Sequence, residues 1–419
     1  MVNKKNKYFF IEKPHLKHLL FIFYFIVSFA LHFANDFIME KISNLSTPFF
    51  DIYIYIISDS LCFIPYLIVK FRTKSISTST LTSGNNNGLI YNNQESFSFK
   101  KTLKNIFLLT FSDYIAQISM VIYFLIKQEY KLDVPYLNLN SIIIFNILFL
   151  VLLSKKILNM RFYTHHYFSF IIIIITLCIL VILDIIQIFG GEGNKLLSLI
   201  YLILRIFQTF LYSFEDVIGK VILLYSEFTV YFLLLNKALI QLIFSIIFSI
   251  PFIFIKIKDE EDNKRSIFEM IGEIFENKSN ILKYGLYIII VFFHNIFIWQ
   301  IIDKFTPNHF WLAQVFESLG VLIISLIQDS ISLDICLRII MFIILLLIAC
   351  IYNEFLVVNI CGLSKDTKLF LDYKEKEDLF LTEITDEGSS RDSNLDSSHD
   401  DIESNKAKKE FEVEMKPIK

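Results

Sequence analysis

The chain has 419 residues, of which 55% are hydrophobic, 45 are Phe and only 19% are charged, with a formal net charge of −3. At a mean hydropathy of +0.56, so few charges could not cover the surface of a soluble protein of this size, and the scarcity of Gly (11) and Pro (7) excludes a collagen-like or Pro-rich chain. Cations gather at the N-terminus (Lys4, Lys5, Lys7, Lys13, Lys17) while the C-terminal tail is acidic and Ser-rich, so there is no global basic footprint for nucleic acid.

From Leu16 to about Ile360 the sequence is a succession of apolar blocks, each cut off by Lys, Asn, Asp or Pro. A block of about twenty such residues spans a bilayer as a helix. The first block, His18 to Ala34, has a basic flank and a poor cleavage site at His32, Phe33, Ala34 and Asn35, so it reads as a retained signal anchor. Nine more follow, near 49–69, 105–126, 136–154, 166–189, 196–218, 229–255, 284–302, 310–328 and 333–358. The softest boundary is Gly219–Glu227, where the polar break is short. The expected fold is therefore all-α and integral to the membrane, with ten spans.

Loop cations orient the spans. With the N-terminus cytoplasmic, the inside segments of the first half carry fourteen Lys and Arg and its outside loops four: Lys41, Lys127, Lys131 and Lys195. The second half runs against this, because its outside loop 256–283 holds Lys256, Lys258, Lys264, Arg265, Lys278 and Lys283. Two glycosylation sequons, at Asn44 and Asn277, both fall in loops that ten spans place outside. The organisation expected is a cytoplasmic N-terminus (1–17), a first five-helix half (18–192) with a disordered polar insert at 74–99, a second half (193–360), and a disordered cytoplasmic tail (361–419). Within the tail, Ser397 and Ser398 precede Asp400 and Asp401, a context for acid-directed phosphorylation.

Ten spans divide into five plus five, and an odd number per half forces the halves into opposite orientation. An offset of 171 aligns Phe145 with Phe316, Asn146 with Glu317 and Ser154 with Ser325. With its ten spans, the paired hairpins Ser141–Leu183 and Asn308–Glu354, and the segment Glu215 to Lys220 before span seven, the chain resembles the drug/metabolite transporter superfamily, especially its nucleotide-sugar-transporter-like branch. The resemblance covers about residues 16–360. It departs from the family in having few Gly within its spans, where members pack helices closely through small residues. It implies an inverted repeat, a small-molecule solute as partner besides lipid, and an endomembrane such as Golgi or ER. A homodimer is left open.

Ionisable groups inside spans mark function or internal pairing. They are Asp59, Arg205, Lys237, His294 and Glu317, with Asn236 and Asn295 as neutral companions. Asp113 and Asp184 also lie within spans. Arg205 and Lys237 are the natural partners of an anionic group, and Asp59 or Glu317 could carry a proton. The bland alternative is structural ion pairing, Arg205 with Asp59 or Lys237 with Glu317. Asn295 and His294 read as helix–helix glue, Glu215, Asp216 and Lys220 as a solvated face, Lys304–Asn308 as a tight turn, and Trp299 and Trp311 as interfacial anchors. His165 and His166 fall in a short loop without a carboxylate cluster.

No P-loop, HExxH, GxSxG or CxxC motif is present, and the five Cys (Cys62, Cys178, Cys336, Cys350, Cys361) are scattered. No enzyme, cofactor or metal site is expected. The expectation is a secondary transporter of a polar organic solute, an anionic metabolite such as a nucleotide sugar or organic phosphate. The alternatives are a carrier for organic cations, drugs or amino acids, and, from another class, a membrane scaffold or receptor acting through its tail.

Overall fold

The computed structural model describes residues 14–42, 48–80, 99–129, 141–160, 162–190, 194–226, 228–252, 278–328 and 333–356, with a few positions elsewhere. The chain divides into two compact units, Met1–Leu356 and Val357–Lys419, and the helices belong to the first. They are α1 (Pro14–Ile42), α2 (Pro48–Ser60), α3 (Phe63–Thr80), α4 (Phe99–Glu129), α5 (Ser141–Ile157), α6 (Thr164–Gly190), α7 (Lys195–Tyr225), α8 (Val230–Phe252), α9 (Lys278–Lys304), α10 (Pro307–Gln328) and α11 (Leu333–Tyr352). Between α8 and α9, β1 (Ile257–Lys258) pairs antiparallel with β2 (Lys264–Arg265).

Among the described residues, seven helical segments are long and apolar enough to cross a membrane: Asp51–Phe71, Thr102–Tyr123, Thr164–Gly190, Lys195–Tyr225, Val230–Ile250, Lys278–Lys304 and Leu333–Tyr352. The other three expected spans coincide with α1, α5 and α10, which are helical over the residues described. In α1 the apolar stretch is Leu19–Ala34. The first half of α10 carries Asn308, His309, Gln314 and Glu317.

The surface is inverted relative to a soluble protein. On α6 the exposed positions include Ile171, Ile175, Ile182 and Ile186, while Ser169, Thr176 and Asp184 are buried. On α8, Ile243, Ile246, Ile247 and Ile250 are exposed and Lys237, Gln241 and Ser245 are buried. Lipid selects this pattern, because hydrocarbon accepts apolar side chains and the polar ones must find partners inside the bundle.

Helix ends follow local chemistry. Asn194 caps α7, its side-chain oxygen accepting from the Leu197 amide at 3.4 Å. The Tyr163 amide donates to Nδ1 of His166 at 3.0 Å, a reciprocal cap that starts α6. Pro307 opens α10 where its missing N–H is harmless, so Lys304–Asn308 is the tight turn expected. Asn159, at φ 52°, ends α5. At the end of α11, Glu354 takes φ 59° while Phe355 and Glu354 donate to the carbonyls of Cys350 and Ile351. That is a Schellman closure with Glu where Gly is usual.

Two boundaries differ from expectation. The soft break sits at 226–229, not at Gly219: α7 continues to Tyr225, and Ser226 stops it with its amide bonded to the Ile222 carbonyl at 2.8 Å. Span two is broken rather than continuous. Pro65 cannot donate to the Leu61 carbonyl, which accepts instead from Ile64 at 3.1 Å, and the chain turns at Leu61 and Cys62. The expected insert at 74–99 begins as helix, since α3 runs to Thr80, and 81–98 lie outside the described residues. The sequons at Asn44 and Asn277, the tail serines Ser397 and Ser398 and the side chain of Ser325 also lie outside them.

Packing brings distant segments together in antiparallel pairs. Helix α5 meets α10 through Asn146 and Gln314 (2.6 Å) and Ser154 and Asn308 (3.4 Å). Helix α6 meets α11 through Asp184 and Arg338 at one end, and His165 reaches Glu354, just past α11, at the other. The kinked α2–α3 pair meets α8 through Tyr53 with Ser249 and Tyr66 with Phe232. Helix α4 packs on α7 and α1 on α9, α4 on α8 and α2 on α9, and α5 on α6 and α10 on α11.

Candidate functional site

Four of these segments, α2, α4, α7 and α8, bring charged side chains to one place, and α9 adds the amide of Asn295. Asp59, Asp113 and Lys237 lie near the middle of the spans Asp51–Phe71, Thr102–Tyr123 and Val230–Ile250. Lys237 Nζ is 2.7 Å from Asp113 Oδ2 and 2.7 Å from Glu215 Oε1, with the lysine 8% and the glutamate 5% exposed. Asp113 also accepts from Gln117 Nε2 at 3.1 Å and from Gln241 Nε2. The two glutamines follow Asp113 and Lys237 by one helical turn, so each lies on the same helix face as the charge it supports.

Asp59 is 1% exposed and accepts from Asn295 Nδ2 at 2.8 Å, joining α2 to α9. Beside it, Ser58 Oγ donates to the Ile288 carbonyl at 3.1 Å. Asp59 sits just before the break at Leu61 and Cys62. Irregular backbone at such a depth is tolerated only where it is shielded from lipid. Asp216, next to Glu215, lies within the electrostatic reach of Lys237 and Asp113, as Asp59 does.

Among the described residues, Asp113 and Glu215 thus share the Lys237 ammonium, with Asp59 and Asp216 within its electrostatic reach. Lys237 is engaged by two of them, so it is no open receptor for an anion. An ionised surplus of carboxylate in a low-dielectric bundle is costly unless protons or an incoming cation offset it. The arrangement is suited to bind a positive charge or to take up and release protons.

The expected site residues do not gather in one place. Asp59, Lys237 and Asn295 belong to this cluster. Arg205 does not join it: its Nη1 donates to Gln208 Oε1 at 2.7 Å and approaches Met120 Sδ at 3.3 Å. Asn236 bonds back to the Phe232 carbonyl of its own helix at 2.7 Å. His294 and Glu317 converge with His32 of α1, His32 Nδ1 lying 4.0 Å from Glu317 Oε2. Neither bland pairing forms: Lys237 reaches Asp113 and Glu215, not Glu317, and the Arg205 contacts are with Gln208 and Met120, not Asp59.

Three readings are corrected by burial. Glu215 and Lys220 are buried, not a solvated face, and Lys220 Nζ donates to the Asp303 carbonyl at 2.6 Å. Trp299 and Trp311 are core residues rather than interfacial anchors. His165 is buried, with Nε2 3.4 Å from Glu354. Sequence reasoning passed over Arg338, which is buried on α11 and donates to Asp184 at 2.6 Å and to Asp334 at 2.8 Å. Asp184 in turn accepts from the Ser141 amide at 3.2 Å, tying the start of α5 to α6 and α11. One signal was available: on α7, Gln208, Tyr212, Glu215 and Gly219 recur at helical spacing, a polar stripe that must face inward in lipid.

Comparison with protein-family models finds no match, and comparison with curated proteins finds none. Among solved structures, one described only as "Crystal structure of protein" superposes with a TM-score of 0.45 at 11% identity, covering 78% of this chain and 97% of its own.

Proposed function

We propose that this chain is a secondary transporter in which Asp59, Asp113, Glu215 and Lys237 bind the solute or the coupling ion. The carrying observation is the surplus of carboxylate around Lys237, within 2.7 Å of both Asp113 and Glu215. It favours a solute bearing an amine or other positive charge, with proton exchange at the same carboxylates. The expectation of an anionic metabolite rested on the family resemblance together with Arg205 and Lys237 as its binding cations. Lys237 is engaged by two acids and Arg205 by Gln208, so the organic-cation and amino-acid reading has the better support.

The reading includes ten spans in two inverted five-helix halves with both ends cytoplasmic, in an endomembrane. Supporting it, the pairs α2–α8, α5–α10 and α6–α11 each join a span to the one five places later, and each runs antiparallel. The pair α4–α7 has its counterpart in α1–α9, and α5–α6 in α10–α11. Alternating access would rock one half against the other about the central cluster.

The experiment is uptake by purified protein in liposomes, with and without a pH gradient, comparing amine-bearing solutes with nucleotide sugars and phosphorylated metabolites. The expected result is saturable, gradient-driven uptake of an amine-bearing solute that is abolished in Asp59→Asn and Asp113→Asn. Uptake confined to anionic solutes, or uptake indifferent to both substitutions, overturns the assignment.

A further inference from the structure

His32 of α1, His294 of α9 and Glu317 of α10 form a cluster separate from the carboxylates around Lys237. One ring nitrogen from each histidine and one carboxylate oxygen all lie within 4.8 Å of one another. His32 Nδ1 is 4.0 Å from Glu317 Oε2, and the two imidazole centroids are 5.8 Å apart. Each side chain comes from a different helix. Nε2 of His294 is buried and makes no hydrogen bond.

An ion pair explains only part of this. A single proton shared between His32 and Glu317 satisfies that pair and leaves a second imidazole beside it with a buried ring nitrogen unused. Two imidazoles and one carboxylate, held at the meeting of three helices, are a ligand set for a borderline divalent metal. We propose that His32, His294 and Glu317 bind a divalent transition-metal ion of the zinc class, cross-linking α1, α9 and α10.

Metal–nitrogen and metal–oxygen bonds of about 2.0–2.2 Å put tetrahedral ligand atoms roughly 3.4 Å apart. The cluster therefore needs a contraction of about 1 Å, within the reach of side-chain rotation. Two nitrogen ligands disfavour calcium and magnesium, which take oxygen. Three protein ligands leave a fourth position for water.

The surroundings favour the site. Phe29 and Phe33 pack with tilted rings along α1, and Phe29 packs edge-on against Phe316, next to Glu317. One turn on, Gly320 allows the approach: a Cβ there would lie 3.0 Å from the Phe33 ring. A small residue thus lets α1 come close enough for His32 to face Glu317. The adjacent Asn295 holds Asp59 at 2.8 Å, so an ion on His294 would also fix the helix that supports the central cluster.

The test uses full-length protein purified without a histidine tag, stripped with a chelator in detergent and titrated with Zn2+ and with Co2+. The expected result is about one metal ion retained per chain after gel filtration, visible Co2+ absorption of a four- or five-coordinate site, and affinity lowered about tenfold or more in His294→Ala, His32→Ala and Glu317→Gln. Gly320→Ala, which keeps all three ligands but pushes α1 outward, also weakens binding. Retention no greater than a detergent blank, or variants that bind like the parent chain, overturns the proposal. Should the ligand variants fail to fold, the Co2+ spectrum of the unaltered chain decides: visible bands of the low-coordinate ion support the site, and the octahedral aqua spectrum alone refutes it. None of these readouts depends on transport, so the two assignments stand or fall separately.

Discussion

Gly219 and Trp299 touch across α7 and α9: a Cβ added to Gly219 would fall 2.2 Å from one carbon of the indole ring and 2.3 Å from the next. The contact lies one turn beyond Glu215, so it sets how closely α9 approaches the charged cluster. Gly219→Ala should destabilise the protein by about 1–3 kcal/mol through overpacking. Replacing Trp299 by Leu in the same chain should recover part of the loss. Thermal unfolding in detergent measures both, and purely additive effects of the two changes would argue against the contact.

Lys237 compensates two carboxylates directly, so its removal should matter more than removal of either partner. Lys237→Gln strands Asp113 and Glu215 in the bundle and should cost about 3–5 kcal/mol. Glu215→Gln alone leaves Lys237 with Asp113 and should cost less. The double variant Lys237→Gln with Glu215→Gln should be more stable than Lys237→Gln alone, a sign of coupling that a double-mutant cycle reads directly.

Arg338 bonds two acids of very different exposure. Asp184 is fully buried, whereas the Asp334 side chain is 49% exposed. Arg338→Met should therefore destabilise by about 3–5 kcal/mol, and Asp334→Asn by less than about 1 kcal/mol. Arg338→Lys keeps the charge but loses the fork that reaches both acids, and should fall between them. Chemical denaturation of the three variants gives the order, and equal effects of Arg338→Met and Asp334→Asn would contradict it.

Pro65 breaks span two beside Asp59. Pro65→Ala should restore a donor to the Leu61 carbonyl and straighten the junction of α2 and α3. Slower amide exchange across residues 61–66 and a higher unfolding temperature are expected, together with impaired uptake in liposomes. A straightened helix with unchanged uptake would remove the break from the proposed transport mechanism.

Helices lie where the sequence has its apolar blocks, though several run a turn or more beyond them, and the reason is local. In lipid a segment must satisfy its own backbone hydrogen bonds, so apolar length alone specifies a helix. Boundaries moved where a residue acts on backbone chemistry that composition does not register: Pro65 within an apolar run, and Gly219 within a helix that continues because α9 covers it. The charged site was half legible. Asp59, Lys237 and Asn295 stood out as polar residues in apolar blocks, but Glu215 was read as solvated because it lies in a polar run near a helix end. Arg338 went unnoticed near the start of α11, where a snorkelling cation raises no alarm.

The sequence by itself determined that the chain is a bundle of membrane-length helices with ionisable groups inside it, since both follow from composition over a window of about twenty residues. Only the tertiary structure decided which charge meets which. Lipid-facing and core-facing surfaces here are both apolar, so side-chain periodicity carries no address for the neighbouring helix. Lys237 could have faced Glu317 or an open cavity, and it faces Asp113 and Glu215 because α4, α7 and α8 pack together. That choice changes the sign of the site, from one suited to an anion to one suited to a cation or a proton.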